Sequence, residues 1–360
     1  MSEKALIAMS GGVDSSVAAL LAARAGYECF GVTMKLFENE DVGISKERPC
    51  CSLADASDAA RAAAAIGIPH YIFDFSEDFR REVIGRFVEA YSSGETPNPC
   101  IDCNSYIKYG SLYDRLRKMG FDYLVTGHYA DIRREDDGLF HMFRARDRKK
   151  DQTYFLYSMT QEQLSHTLFP LGPYIKDETR EEAAAAGLAT AEKPESQDIC
   201  FVSGGYADFI EGYGGRAFAD GDFVDGEGKV LGRHKGIIRY TIGQRKGLGI
   251  ALGAPMFVSE IRANAGEVVL TENERDLFAC RVGISGLTAV SGSFPAAGSI
   301  VEVMIRYGAK PARAQLISVY GDSAELFFEN PQRAPAKGQA AVMYDGDELI
   351  GGGRITWTKK

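Results

Sequence analysis

Residues 5–16 read ALIAMSGGVDSS: four apolar residues, a Met-Ser link, a glycine pair and the start of an Ala/Leu-rich run. The apolar four have the length of a buried strand, and the run from about Asp14 has helical spacing. Strand, Gly-Gly turn and helix in direct succession make the first half of a βα unit. The turn then lies at the carboxyl end of a parallel strand, where such sheets bind ligands. Gly11 and Gly12 allow a tight turn and a close approach, while Ser10, Ser15 and the amides of the helix start can donate to phosphate oxygens. Asp14 suits helix capping or a Mg2+ ion bridging phosphates. The Lys-Ser/Thr ending of a Walker loop is absent, so this is not an ordinary phosphate-hydrolysing motor. A capped Gly-Gly turn without a ligand is the plainer alternative.

The pattern continues outward. CFGVTM, a helix near residues 55–67, HYIFDF, helices through 78–92 and near 106–119, and DYLVTGHY repeat the βα alternation up to about residue 130. An α/β unit with a helix-covered parallel sheet is expected, with its site in the loops after ALIA, CFGVTM and DYLVTG. From about residue 204 the texture becomes Gly-rich and short-stranded (SGGYADF, EGYGGRAFADGDF). Beyond about 278, strands bounded by turns (IVEVMIRY, ARAQLISVYG, SAELFF, AAVMYDG, ELIGGG) predict a small antiparallel β-barrel. Three domains follow: 1–204, a small central one at 205–277, and the barrel at 278–360. A length of 360 residues accommodates them.

With 45% hydrophobic and 25% charged residues, the composition is that of a globular chain, and no apolar run reaches the roughly 18–20 residues of a membrane span. A net charge of −9 argues against a general nucleic-acid binder. Two local runs argue the other way: RARDRKK at 144–150, and residues 229–246, where Lys229, Arg233, Lys235, Arg239, Arg245 and Lys246 occur with no acid. Solvated faces are the alternative for both. The seven cysteines are odd in number and widely spread, and Asp14 with the glycine pair spoils any export signal near the N-terminus. Reduced thiols in a cytoplasm are expected.

TPNPCIDCN (96–104) holds Cys100 and Cys103 at C-x-x-C spacing in a Pro-bounded loop before a helix. No second pair completes a zinc site, and the position does not fit a thioredoxin motif. A thiol near a helix N-terminus can have a lowered pKa, as a nucleophile needs. Cys200, in PESQDICFVSGG, stands among acidic and amide residues. Cys29, Cys51 and Cys280 read as small buried hydrophobes, and Cys50 stays open.

SGGVDSS resembles the PP-loop of the N-type ATP pyrophosphatases, an adenine nucleotide alpha hydrolase-like fold. The strings SGGVDSS, VTMK, PCCS, TPNPCIDCN, IKYG, TGHYA, KDQTYFLY, SQDICFV, YTIGQRKGLGI and GGGRI, running from residue 10 to 355, resemble tRNA-specific 2-thiouridylases in identity and order. The resemblance implies that Cys103 is the nucleophile and Cys200 carries a persulfide, the two forming a redox disulfide. It implies ATP contacts at Ala8, Met9, Ser10, Gly11, Gly12, Val13, Asp14, Ser15, Met34 and Gly127, and a segment facing the target base at Asn98, Pro99 and Cys100. It implies tRNA contacts at His128, Lys150, Asp151, Gln152, Arg306, Tyr307 and Gln339. For His128 a satisfied structural role is the plain alternative, as a core role is for Tyr154 and Phe155. Where many members have Asp, this chain has Cys100. Asp102 lies nearby, but on an extended loop it would point away from Cys103.

The implied reaction adenylates the C2 oxygen of a wobble uridine in the tRNA anticodon stem-loop, using ATP with Mg2+, and then transfers sulfur. A persulfide donor protein is the implied partner, and no membrane is involved. Cys100, Cys103 and Cys200 could instead hold an iron–sulfur cluster with one open iron, the protein offering no other metal ligands. An amidating synthetase would need no paired thiols, and a sulfur carrier or RNA-binding protein would need no phosphate loop.

Overall fold

The first strand, β1 (Lys4–Ala8), is covered on both faces. Ala5 and Ile7 belong to one apolar cluster and Leu6 and Ala8 to another, as alternation along a strand requires. In this computed structural model, which describes residues 2–38, 51–194, 199–202, 204–215, 217–251 and 253–360, β1 lies at the centre of a parallel sheet. Cys50, residues 196–198 of the SQDICFV string and the Cys51 side chain lie outside the described residues. β1 pairs with β2 (Glu28–Lys35) on one side and with β4 (Tyr123–Val125) on the other. β3 (His70–Asp74) and β7 (Thr167–Leu168) complete the order β3-β2-β1-β4-β7. The strand order therefore reverses between β1 and β4, which opens a crevice beyond their carboxyl ends.

One helical layer is built from small residues. Ala18, Ala19 and Ala22 of the helix Val13–Arg24, with Ala59, Ala62 and Ala63 of the helix Cys51–Ile66, are buried in the cluster holding Ala5 and Ile7. The other layer is bulky. Phe79, Val83, Ile84 and Phe87 pack there with Ile107, Leu112 and Leu116, each worth about 1.5–3 kcal/mol in burial. Its two long helices are not plain α-helices. Arg80–Gly85 and Cys103–Leu112 are π-helical, a winding often found at functional sites.

Beyond the sheet, β8 (Gly221–Val224), β9 (Val230–His234), β10 (Phe257–Arg262) and β11 (Glu267–Thr271) form a second sheet ordered β10-β11-β8-β9. The stretch before it corrects the short-strand expectation, because Tyr206–Gly214 is a helix that buries Ala207, Phe209 and Ile210. Its glycines hid the helical pattern. Six strands then close into an antiparallel barrel: β12 (Phe278–Ala289), β13 (Ile300–Met304), β14 (Ala312–Tyr320), β15 (Ser323–Arg333), β16 (Ala340–Asp345) and β17 (Glu348–Lys359). Closure comes from the β12–β17 pairing. The barrel core includes Val282, Val301, Leu316, Phe328 and Met343.

The hairpin β5 (Ala130–Arg134) and β6 (Phe140–Arg144) joins the first part of the chain to the last, since Met142 and Phe143 pair with Leu349 and Glu348 of β17. No helix among the described residues is long and apolar enough to cross a membrane.

Candidate active site

The chain leaves the sheet late. Met9 N still donates to Val32 O at 2.8 Å, and the turn begins at Ser10. Gly12 is the N-cap of Val13–Arg24 and supplies no side-chain cap, so amides of the first turn point into the β1/β4 crevice without one. The serines brace the loop from inside. Ser15 and Ser16 hydroxyls donate to Gly12 O at 3.1 and 2.9 Å, and Ser10 N donates to Ser15 Oγ at 3.1 Å. Gly11 has φ +73°, and a Cβ there would overlap the Asp55 carbonyl oxygen. On Gly127 a Cβ would lie 2.7 Å from the Asp14 and Ser15 backbone. Two glycines from distant motifs thus allow the loop to close against its neighbours. Met34, near the end of β2, is half-buried.

Asp14 does not cap its helix. Its carboxylate accepts from Lys176 Nζ at 2.7 and 2.9 Å and from Tyr129 OH at 2.9 Å. Lys176 is 8% exposed, so Asp14 serves as counter-ion to a buried ammonium. Lys193 ties the other rim, donating to Gly11 O at 3.1 Å and pairing with Asp55 and Asp58 at 2.7 and 2.6 Å. Sequence reading missed Lys176, Lys193 and Tyr129.

The cysteine segment is helical where an extended loop was expected. Asn98 caps it by accepting from Cys100 N at 3.2 Å, Pro99 occupies the first turn, and Pro99–Asp102 runs directly into the π-helix Cys103–Leu112. Asp102 is 1% exposed and bound by Arg354 Nη2 at 2.7 Å. The thiol pKa shifts also run against expectation. Burial pushes Cys103 up to about 11, against the pull of Lys108. Cys200 is pushed up to about 12 by burial first and then by Cys103 and Cys100, so the three sulfurs lie within electrostatic reach of one another. Cys100 is raised by burial and lowered by Lys108. Cys100 and Cys200 show exposed surface, yet the surrounding protein still desolvates their thiolates. Cys103 and Cys200 are both free thiols.

Lys108 acts on all three sulfurs. It also lies 3.4 Å from His128 Nε2, while His128 Nδ1 is 2.8 Å from Thr126 Oγ1 and 3.2 Å from Tyr109 OH. Burial, then Lys108, holds the His128 pKa well below the usual value, so the ring is neutral. His128 is 7% exposed and touches Lys108 rather than an open surface. Among the described residues no group of three or more His, Cys, Asp or Glu is gathered to hold a metal ion.

The positions matched to RNA contacts divide in two. Arg306 and Tyr307 are exposed, and Tyr307 stands 4.4 Å from the Phe155 ring. Lys150 is half-buried. Asp151 accepts from Ala145 N at 3.0 Å and Thr153 Oγ1 at 2.7 Å, and Gln152 Oε1 accepts from Tyr129 N at 2.9 Å, so both fix the local turn. Tyr154 is fully buried and donates to Ala340 O at 3.0 Å. Much of the two basic runs is neutralised internally. Arg146 pairs with Glu178, Arg148 with Asp347, Arg233 with Asp222, Lys235 with Asp220, and Arg239 with Asp208 and Glu211.

Three family models match in succession: "tRNA methyl transferase HUP domain" over residues 3–204, "tRNA methyl transferase PRC-barrel domain" over 207–272, and "Aminomethyltransferase beta-barrel domain" over 292–355. The tRNA-specific 2-thiouridylase MnmA of Clostridioides difficile strain 630 is 47% identical over 357 residues, covering 99% of this chain and 98% of that protein. Its namesake from Lachnoclostridium phytofermentans is 47% identical over 355 residues, covering 98% and 99%. A solved 4-thiouridine synthetase–RNA complex with bound ATP is 18% identical, covers 55% of this chain and 45% of that one, and has a TM-score of 0.36, too slight a likeness to carry an argument.

Proposed function

This chain belongs to the family of tRNA-specific 2-thiouridylases, and from that membership we propose how its residues divide the work. It is an ATP-using sulfurtransferase that thiolates tRNA. What supports the division is that Cys103 and Lys108 both act electrostatically on Cys200, distant in sequence, while the uncapped helix start belongs to the loop at the sheet crevice.

The loop half makes a leaving group. The uracil C2 oxygen attacks the α-phosphate of ATP, pyrophosphate departs, and AMP remains on the oxygen. The loop amides stabilise charge on the departing pyrophosphate. ATP enters as its Mg2+ complex, with the ion held by the phosphates. Asp14, both of whose oxygens already accept from Lys176, is not an open ligand for it.

The cysteine half then delivers sulfur. The terminal sulfur of a persulfide on Cys200 attacks C2 and expels AMP. Cys103 as thiolate attacks the Cys200 sulfur, leaving 2-thiouridine and a Cys103–Cys200 disulfide that an external thiol reduces. A persulfide-carrying donor protein reloads Cys200, and the setting is the cytoplasm, where thiols stay reduced. The anticodon loop docks across Asn98, Pro99 and Cys100, with Lys150, Arg306 and Tyr307 on its backbone. Lifting the base from its stack costs roughly a few kcal/mol. We divide the chain functionally at about residues 204 and 277. Methyl transfer, the activity in the family models' descriptions, would use neither the thiols nor the phosphate loop.

The test is nucleoside mass spectrometry of unmodified tRNA treated with protein, ATP and a persulfide source, alongside a pyrophosphate assay. Thiouridine with matching pyrophosphate supports this reading, and methylated uridine without pyrophosphate overturns it.

A further inference from the structure

The C-terminal barrel grips the segment just ahead of Cys103. Gln339 Nε2 donates to Thr96 O at 2.8 Å and to Pro97 O at 3.3 Å, and Thr96 N donates to Lys337 O at 2.8 Å. A Cβ on Gly338 would come within 3.1–3.2 Å of Glu95 and Thr96, so the two backbones lie flush. At the other end of the segment Arg354, from β17, binds Asp102 Oδ1 at 2.7 Å. These ties bracket residues 96–102, whose helical turn runs without a break into Cys103. Asp102 is buried, and its Oδ2 has no partner among the described residues. A buried carboxylate next in sequence to a sulfur that must become negative opposes that charge unless a cation answers it.

We propose that Arg354 is a positioning residue for sulfur transfer: it neutralises Asp102 and, with Gln339, fixes the segment 96–103 so that Cys103 meets Cys200. The barrel is then part of the sulfur-transfer machinery, not only a surface for RNA. Gln339, matched by resemblance to an RNA contact, works through the base-facing segment, because both bonds of its amide nitrogen go to that segment's carbonyls. The proposal rests on Cys103 being the nucleophile.

The charged and titratable groups facing Cys103 are Lys108, Cys100 and Asp102 on its own helical stretch and Cys200 opposite. Arg354 from the barrel, Arg86 from the helix Arg86–Ser92 and Glu82 from Arg80–Gly85 face Asp102, whose pKa burial raises against the pull of both arginines. The readout is the pH at which iodoacetamide labels Cys103 at half its maximal rate, followed by peptide mass spectrometry without tRNA or ATP. Arg354→Met should move that pH up by about one unit, slowing labelling about tenfold at a fixed pH below it. Arg354→Lys should keep it near wild type, and Arg354→Met with Asp102→Asn should bring it back, since the anion leaves with its partner. Thiolation turnover should fall in Arg354→Met with tRNA affinity within about twofold, because phosphate contacts are untouched.

An unmoved labelling profile in Arg354→Met overturns the proposal, as does a loss of turnover matched by a loss of tRNA affinity, or a double variant that stays shifted. If thermal melting shows Arg354→Met unfolded, Gln339→Leu removes the other tie without removing a charge. It should slow turnover several-fold, by more than any loss of tRNA affinity, and wild-type turnover would count against the clamp. Thiolation surviving Cys103→Ser would instead remove the nucleophile assignment on which the proposal stands.

Discussion

The phosphate loop and the cysteine site are built on opposite electrostatic plans. Around the loop the ions are answered: Asp14 by Lys176, and Lys193 by Asp55 and Asp58. Around the cysteines the polar groups fall short. Asp102 Oδ2 and Asn104 Oδ1 are buried without partners among the described residues, and the thiols are held protonated by burial, with Lys108 pulling the other way. The contrast teaches that the loop is prepared for a polyanion before one arrives. In the sulfur half, desolvation works against the thiolates and Lys108 works for them.

The sharpest break of this contrast is Asp14→Ala. It should abolish tRNA-dependent pyrophosphate release and also lower stability by on the order of 1–3 kcal/mol, because it removes a carboxylate that both pairs with the buried Lys176 ammonium and accepts from Tyr129. A thermal melt and a pyrophosphate assay check both parts, and wild-type release would remove Asp14 from the loop's work. Lys108→Met tests the other side. Lys108 favours the thiolates, so its loss should raise the Cys103 pKa further and slow alkylation at a fixed pH by up to about tenfold. An equal alkylation rate would show that Lys108 does not oppose burial.

Smaller effects belong to the surface. Neutralising Lys150 and Arg306 together should weaken tRNA binding and flatten the slope of log affinity against log salt by about 2. An unchanged slope would mean that neither meets phosphate. Smallest is the tie of His141 to Glu348, at 2.6 Å, which fastens the β5–β6 hairpin to the barrel. Burial lowers the His141 pKa, but Glu348 and Asp137 outweigh it and the net shift is upward. Its stabilisation is therefore full below the unfolded histidine pKa and fades as pH rises through the folded one. Glu348→Gln should lower stability by about 1 kcal/mol or less at pH 5.5 and have no effect at pH 9, as denaturant melts at the two pH values would measure.

The loop was legible because its signal is local: an apolar strand, a glycine pair and an Ala-rich helix within about twenty residues of each other. The helical start at Asn98 was also legible as an Asn-Pro cap, but the flanking prolines drew the reading toward a loop before the helix. The pairings of Lys176 with Asp14, Lys108 with His128 and Arg354 with Asp102 were not legible, because each joins residues from separate motifs and periodicity reports only neighbours. β12 escaped notice because Gly283 and Gly286 interrupt its alternation. Trp357 lies over Gly283, where a Cβ would overlap the indole. The lowered thiol pKa was misjudged because sequence shows the helix start but not the burial that outweighs it.

The central claim, that the loop activates the uridine and the cysteines only then deliver sulfur, is tested most directly by Cys103→Ser and Cys200→Ser with ATP, unmodified tRNA and a persulfide source. Pyrophosphate and thiouridine are measured on the same samples. The account predicts that both variants release pyrophosphate in a tRNA-dependent burst and form no thiouridine, while Cys100→Ser forms it. Cysteine variants that release no pyrophosphate, or that still make thiouridine, would contradict it.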